Sequence, residues 1–240
     1  MAAAAARYAI YFAPGPTSAL ARFGKHWLGR DPVSGAEEAQ PTIAGVSVAR
    51  LAEITADSRH YGFHATLKPP FALAEGCDGR ALHQAIANFA ATRPPLQAPP
   101  LRLAAIGGFL ALLPSSACPA LIDLAADCVR EFDAFRAPAD EAELAKRRQP
   151  GLTPRQDELL QQWGYPYVME EFRFHMTLTT RLDAGERITL INALQPMLAG
   201  ICRRPLRVDA IALFEQPTRT APFRLVRRYA LARGYARLSA

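Results

Sequence analysis

One five-residue run occurs twice in this chain. Phe63-His64-Ala65-Thr66-Leu67 returns as Phe174-His175-Met176-Thr177-Leu178, with four of the five residues identical. Any fold must place both copies, so the chain is constrained toward two related halves, each supplying one. The whole sequence has only five histidines, and two of them sit in these matched settings. In an extended strand, residues i and i+2 share a face, about 6.6–6.8 Å apart. Each copy therefore sets an imidazole beside a hydroxyl. Two such pairs facing one another provide two proton-transfer groups, His64 and His175, and two hydroxyl donors, Thr66 and Thr177. That is the equipment for breaking a phosphate ester without a metal. If the strands stay regular, Lys68 and Arg173 fall on the histidine face too, where either neutralises charge on a phosphate.

A lone His-x-Thr strand reads more simply as a buried histidine satisfied by a nearby hydroxyl. The duplication and the elements around it reverse that reading. Arg7–Ala13 reads as a first strand, and Ser18 caps a helix to Leu28 that Gly29 ends. A helix is expected over Ser47–Thr55. The first motif strand runs Tyr61–Leu67 and is closed by Pro69-Pro70. Asp78–Thr92 is helical by the spacing of Leu82, Ile86 and Phe89. Strands over 101–106 and 109–113 flank Gly107-Gly108, a hairpin signal. A helix over Pro119–Phe132 follows. Residues 136–166, with four prolines and Lys146-Arg147-Arg148, read as an insertion or lid holding a helix that Thr153 caps with Pro154 first. Then come the second motif strand over Glu171–Thr179, a helix over Asp183–Leu198, and strands over Leu206–Phe214 and Phe223–Leu231. Motif strand, helix, strand, strand is the order after each copy. Adjacent antiparallel strands with interspersed helices predict an α+β class. The simplest architecture is one domain over 1–240: two pseudo-symmetric lobes, with mainly antiparallel sheets, facing across a central groove.

Composition excludes several alternatives. The chain has 240 residues, 50% of them hydrophobic, which argues against disorder. No apolar run approaches membrane-spanning length, and Met1 to Ala6 lacks the basic start of a secretory signal. Cys77, Cys118, Cys128 and Cys202 form no Cys-x-x-Cys pair, so neither a zinc site nor a disulfide framework is suggested. A reduced cytoplasmic protein is expected. Neither motif copy carries a second metal ligand on its strand, and no cofactor is implied. There is no Gly-x-x-x-x-Gly-Lys loop, Gly-x-Ser-x-Gly elbow or dinucleotide fingerprint. Net charge is +6, and residues 201–240 hold nine arginines against Asp209 and Glu215. That region attracts phosphates or RNA, or is a solvated polar face. Tyr11, Tyr61, Tyr165 and Tyr167 read as core or rim residues before they read as stacking platforms. His26, His60 and His83 take ordinary surface, helix or capping roles.

The paired His-x-Thr-hydrophobic motifs resemble those of the 2H phosphoesterase superfamily, which includes RNA 2′,3′-cyclic phosphodiesterases and 2′-5′ ligase-like proteins. Arg7-Tyr-Ala-Ile-Tyr-Phe-Ala-Pro14, Tyr61-Gly-Phe-His-Ala-Thr-Leu-Lys-Pro-Pro-Phe71, Trp163-Gly-Tyr-Pro-Tyr-Val168 and Phe172-Arg-Phe-His-Met-Thr-Leu-Thr179 are similar to one bacterial branch, commonly encoded beside phosphonate-utilisation genes. The resemblance implies that His64 and His175 are catalytic and that Thr66 and Thr177 bind phosphate. It implies metal-independent hydrolysis of a small cyclic phosphate, with a ribosyl cyclic phosphate of phosphonate catabolism as the leading substrate. An RNA or nucleotide 2′,3′-cyclic phosphodiesterase is the alternative within the class. A non-catalytic phosphoribose- or RNA-binding protein is the alternative outside it. The partner is then a small phosphorylated ribose-type or nucleotide substrate, with RNA as a second candidate and no membrane. The 111 residues between His64 and His175 leave room for the insertion to cap the groove against long RNA. Arg147 and Arg148 are its candidates for binding a second phosphate.

Overall fold

The computed structural model describes residues 6–149 and 151–232. Its strands are β1 (Arg7–Phe12), β2 (Ala65–Ala72), β3 (Leu96–Ile106), β4 (Phe109–Pro114), β5 (Met176–Arg181), β6 (Pro205–Val208), β7 (Ala210–Gln216) and β8 (Arg224–Ala230). Its helices are α1 (Ala19–Leu28), α2 (Val48–Ile54), α3 (Ala56–Tyr61), α4 (Gly79–Ala91), α5 (Pro119–Glu131), α6 (Glu141–Arg148), α7 (Pro154–Trp163) and α8 (Ala184–Leu198). The strands form one antiparallel sheet in the order β6-β3-β4-β5-β2-β1-β7-β8. The class is α+β.

The two motif strands are the central neighbours, β5 and β2, joined by one registered pair, Ala65 with Met176. Outward from β2 lie β1, β7 and β8; outward from β5 lie β4, β3 and β6. The halves are thus assembled crosswise. The hairpin that follows the first motif, β3–β4, pairs beside the second motif strand. The expected strand over 206–214 is broken at Asp209, because its first part pairs with β3 and its second with β1. Both motif histidines lie just ahead of their strands, and β2 runs through Pro69-Pro70 to Ala72 rather than ending there.

Strand alternation divides the sheet into two faces. Ile10 and Phe12 of β1, Ala65 of β2 and Met176 and Leu178 of β5 join the main core, where they meet Trp27, Leu82, Ile86, Leu124, Cys128, Leu190 and Leu194 from the helices. Each large apolar side chain buried there contributes roughly 1.5–3 kcal/mol. Ala9 and Tyr11 of β1 point the other way, into a smaller cluster with Phe214 and Phe223. The segment over 136–166, expected as an insertion, is anchored to the rest of the chain through α7. Leu159 of α7 and Val168 are buried against Val129 of α5. Thr153 caps α7 in a reciprocal box with Gln156, as its sequence predicts. Helix α6, which the sequence does not signal, has no buried residue.

Candidate functional site

The pairing of Ala65 with Met176 sets the geometry of everything around it. Extending that antiparallel register by one residue each way puts His64 opposite Thr177 and Thr66 opposite His175. Their neighbours Ala65 and Met176 face the helix-covered core. All four polar side chains therefore occupy the other face, and the two histidines form a diagonal pair, roughly 7–8 Å apart at the backbone. Each histidine lies across from the other motif's threonine.

The two imidazoles are held in the same way. His64 Nδ1 donates to the carbonyl of Gly62 at 2.8 Å. His175 Nδ1 donates to the carbonyl of Arg173 at 2.7 Å. A carbonyl only accepts, so in each neutral ring the proton sits on Nδ1 and Nε2 keeps its lone pair. The Thr66 hydroxyl donates to His64 Nε2 at 3.3 Å. Two glycines make room for this. Gly62 takes φ 79°, which disfavours any side chain, and a Cβ there would meet Pro32 at 2.8 Å. Gly24 of α1 lies under Phe63, whose ring a Cβ would strike at 2.0 Å.

An aromatic ring from the adjacent strand flanks each histidine. Tyr11 of β1 stacks on His64 with centroids 3.7 Å apart. Phe109 of β4 lies tilted to His175 at 6.0 Å. Burial pushes the His64 imidazole down to about 4, against the opposing bond to Gly62, and charge on His175 adds to the effect. Burial also lowers His175. Both rings are therefore neutral at pH 7 in the resting protein. Tyr11 is pushed well above the usual phenol range by its own burial, so it stays a neutral stacking surface. Tyr11 is buried in the cluster with Phe214 and Phe223, as its core reading expects, and its pairing opposite Thr66 sets it on the site face as well.

Lys68 does not join them. Tyr11 pairs with Thr66 but Ile10 pairs with Lys68, so two residues of β2 oppose one of β1. This bulge at Leu67 breaks the alternation and turns Lys68 onto the helix-covered face. There it is 1% exposed. Its amine donates to Val129 O at 3.1 Å and to Asp133 at 3.2 Å. Burial lowers it to about 8 while Asp133 opposes. Arg147 pairs with Glu143 at 2.7 Å and Arg148 with Asp157 at 2.6 Å. Arg147 also lies over the ring of Tyr165. Arg233 and Arg237 of the basic C-terminal stretch lie outside the described residues.

A cavity of about 470 Å³ opens beside this face. Thr66, His175 and Arg173 line one part, and Phe109 and Arg181 another, with Tyr165 and Tyr167 from the chain that follows α7. Glu171 also lines it and accepts from Gln156 at 2.9 Å. Among the described residues, no three His, Cys, Asp or Glu side chains converge in a way that could hold a metal ion. No helix of the described residues is long and apolar enough to cross a membrane.

Comparison with known proteins adds the following. The chain is 43% identical over 221 residues to a protein of Janthinobacterium sp. (strain Marseille) named ribose 1,5-bisphosphate phosphokinase PhnN, covering 90% of this chain and 49% of that protein. It is 38% identical over 224 residues to a protein of the same name from Laribacter hongkongensis (strain HLHK9), covering 92% of this chain and 51% of that protein. The chain thus spans about half the length of the curated relatives it matches. Among solved structures, E. coli LigT complexed with 3′-AMP is similar at a TM-score of 0.43 and 12% identity, over 95% of this chain and 98% of that one. The same protein complexed with NADP+ is similar to the same degree, over 96% and 99%. Residues 66–224 match one family model, and the chain belongs to that family, described as "Protein of unknown function (DUF1045)".

Proposed function

We propose that this chain is a 2H-type phosphodiesterase that opens a small cyclic phosphate with two histidines and no metal. The carrying observation is the shared face: His64, Thr66, His175 and Thr177 meet across one registered strand pair, with both Nδ1 atoms committed to backbone carbonyls. Both Nε2 atoms are thereby set for proton transfer. In this reading the phosphate sits between the rings. The Thr66 and Thr177 hydroxyls donate to its non-bridging oxygens, and Arg173, on the rim of the same cavity, neutralises charge.

One imidazole takes a proton from water as the water oxygen bonds to phosphorus. The P–O bond to one ester oxygen breaks, and the other imidazole, as imidazolium, protonates that oxygen. The deeper burial of His64 makes it the base. His175 then carries the proton, which the bound phosphate anion helps to retain.

The leading substrate is a ribose 5-phosphate carrying a 1,2-cyclic phosphate. Opening its bond to O2 leaves a ribose 1,5-bisphosphate, the compound in the name of the longer relatives. Their name denotes phosphoryl transfer, a different reaction. This sequence has no Gly-x-x-x-x-Gly-Lys loop, so we assign kinase chemistry to the part of those proteins that this chain does not span. A phosphodiesterase half would feed that part its substrate, in keeping with the phosphonate association of the resemblance. A second reading, a nucleoside 2′,3′-cyclic phosphate, is favoured by the aromatic walls of the cavity, Phe109, Tyr165, Tyr167 and Phe172, which suit a base.

The test is turnover of a panel of ribosyl and nucleoside cyclic phosphates with excess chelator. Full activity is expected, with a loss on the order of 10²-fold or more for His64→Ala or His175→Ala. Loss on chelation, restored by zinc or manganese, would point to a metallohydrolase. Tight binding without turnover of any panel member would point to a binding protein.

A further inference from the structure

We propose that Arg181, at the end of β5, is a specificity residue that receives a second, distal phosphate of the substrate. This rests on the phosphodiesterase reading of the site and names which substrates it prefers. On β4, Phe109 pairs with Arg181 and Ala111 pairs with Thr177, so the single residue between them on β4 lies against three of β5, residues 178–180. The bulge absorbs the two extra residues. Arg181 consequently lies one two-residue step, about 6.6–6.8 Å, beyond Thr177 and on the same face. A regular strand would carry it twice as far. His175, just ahead of β5, and Thr177 and Arg181 within it thus form one row, with Arg173 two residues before His175.

The bulge is a fixed feature, because the backbone groups it frees from the ladder have partners. The indole N–H of the fully buried Trp27 donates to Leu178 O at 2.9 Å. Leu110 N donates to Thr179 Oγ1 at 3.0 Å. Losing either partner would leave a buried polar group unsatisfied.

Arg181 is also cationic without a local reason to be. Arg147, Arg148 and Arg155 of the insertion each pair with a carboxylate. Arg181 is exposed and, among the described residues, has no carboxylate partner; it lines the same cavity as His175 and Thr66. Phe109, its cross-strand neighbour, reaches back to within 6.0 Å of the His175 ring. A cyclic phosphate held between the imidazoles leaves its sugar along this cavity, and a phosphate at the far end of that sugar meets the Arg181 guanidinium. The acidic wall residue, Glu171, is turned to Gln156.

The test uses matched pairs: ribose 1,2-cyclic phosphate with and without a 5-phosphate, and a nucleoside 2′,3′-cyclic phosphate with and without a 5′-phosphate. The wild-type protein should prefer the phosphorylated member of a pair in kcat/KM. Arg181→Gln should reduce that preference roughly 10- to 100-fold, the range for a charged hydrogen bond, mainly through KM. Arg181→Lys should restore part of it. A merely structural role would lower both members equally and leave the ratio unchanged. Absence of a wild-type preference, or a preference that survives Arg181→Gln, overturns this assignment while the phosphodiesterase reading stands. Failure of the wild-type protein to turn over either member of either pair overturns both.

Discussion

His64 should make the protein acid-sensitive in a measurable, removable way. Its folded pKa lies at about 4 through burial beneath Tyr11, against about 6.5 in an unfolded chain. Between those values the unfolded chain binds a proton that the folded protein refuses. Stability therefore falls as pH drops through this window, by about 1.4 kcal/mol per pH unit. From pH 7.5 to 5 the loss attributable to this one ring is about 2 kcal/mol, and it reaches about 3 kcal/mol below pH 4. His64→Gln removes the titration while keeping a polar side chain of similar reach. Urea denaturation of both proteins at pH 7.5, 6, 5 and 4.5 isolates the effect, since every other acid-sensitive group is common to both. The gap between wild type and variant should shift by about 2 kcal/mol between pH 7.5 and 5, in the variant's favour. Curves that run parallel over that range would show that His64 is solvated, and the assignment of its neutral ring as base would lose its physical cause.

Two further outcomes follow from the site. Both imidazoles are lowered by burial and one must carry a proton, so kcat/KM should already decline as pH rises through values below 6.5; the corresponding limb of kcat should lie higher, because bound phosphate favours the imidazolium, and a free-enzyme limb above pH 7 would contradict the burial argument. Lys68→Met should keep KM for a cyclic phosphate within about threefold of wild type and change stability by about 1 kcal/mol or less, since Asp133 retains its ion pair with Arg136; a tenfold rise in KM would return Lys68 to the phosphate.

The duplicated motif made the two motif strands and their four polar side chains legible, because identical flanks demand equivalent environments; their direct pairing at the centre of one sheet is visible only in the structure. Capping signals at Ser18 and Thr153 located α1 and α7, and the helical spans beginning at Asp78 and Asp183 located α4 and α8; each of these four side chains accepts from the helix's first turn. The departures from strict alternation were not legible. Nothing in Thr66-Leu67-Lys68 announces that β2 gains a residue against β1 at that point, yet this bulge alone sends Lys68 to the core face. The same holds for β5, whose bulge brings Arg181 near the site. A bulge is a property of two strands in register, and one strand's sequence carries only half of it. The crosswise assembly was hidden for a related reason: element order is local, whereas the pairing of β6 with β3 and of β7 with β1 is decided by which exposed edge each part of residues 205–216 meets.

The repeat also explains why the site lies where it does. One motif copy is an imidazole with a hydroxyl two residues on. Antiparallel pairing about Ala65 and Met176 turns the second copy end for end, so each histidine acquires the other copy's threonine as its cross-strand neighbour. The result is nearly symmetric in its hydrogen bonds, with both Nδ1 atoms donating two residues back. It is asymmetric in its surroundings, with Tyr11 stacked on one ring at 3.7 Å and Phe109 tilted from the other at 6.0 Å. The proposed metal-independent phosphodiesterase chemistry would use both properties. There, symmetry would place two proton-transfer groups about one phosphorus, and the unequal aromatic cover would separate their affinities for a proton, one ring serving as base and the other as acid.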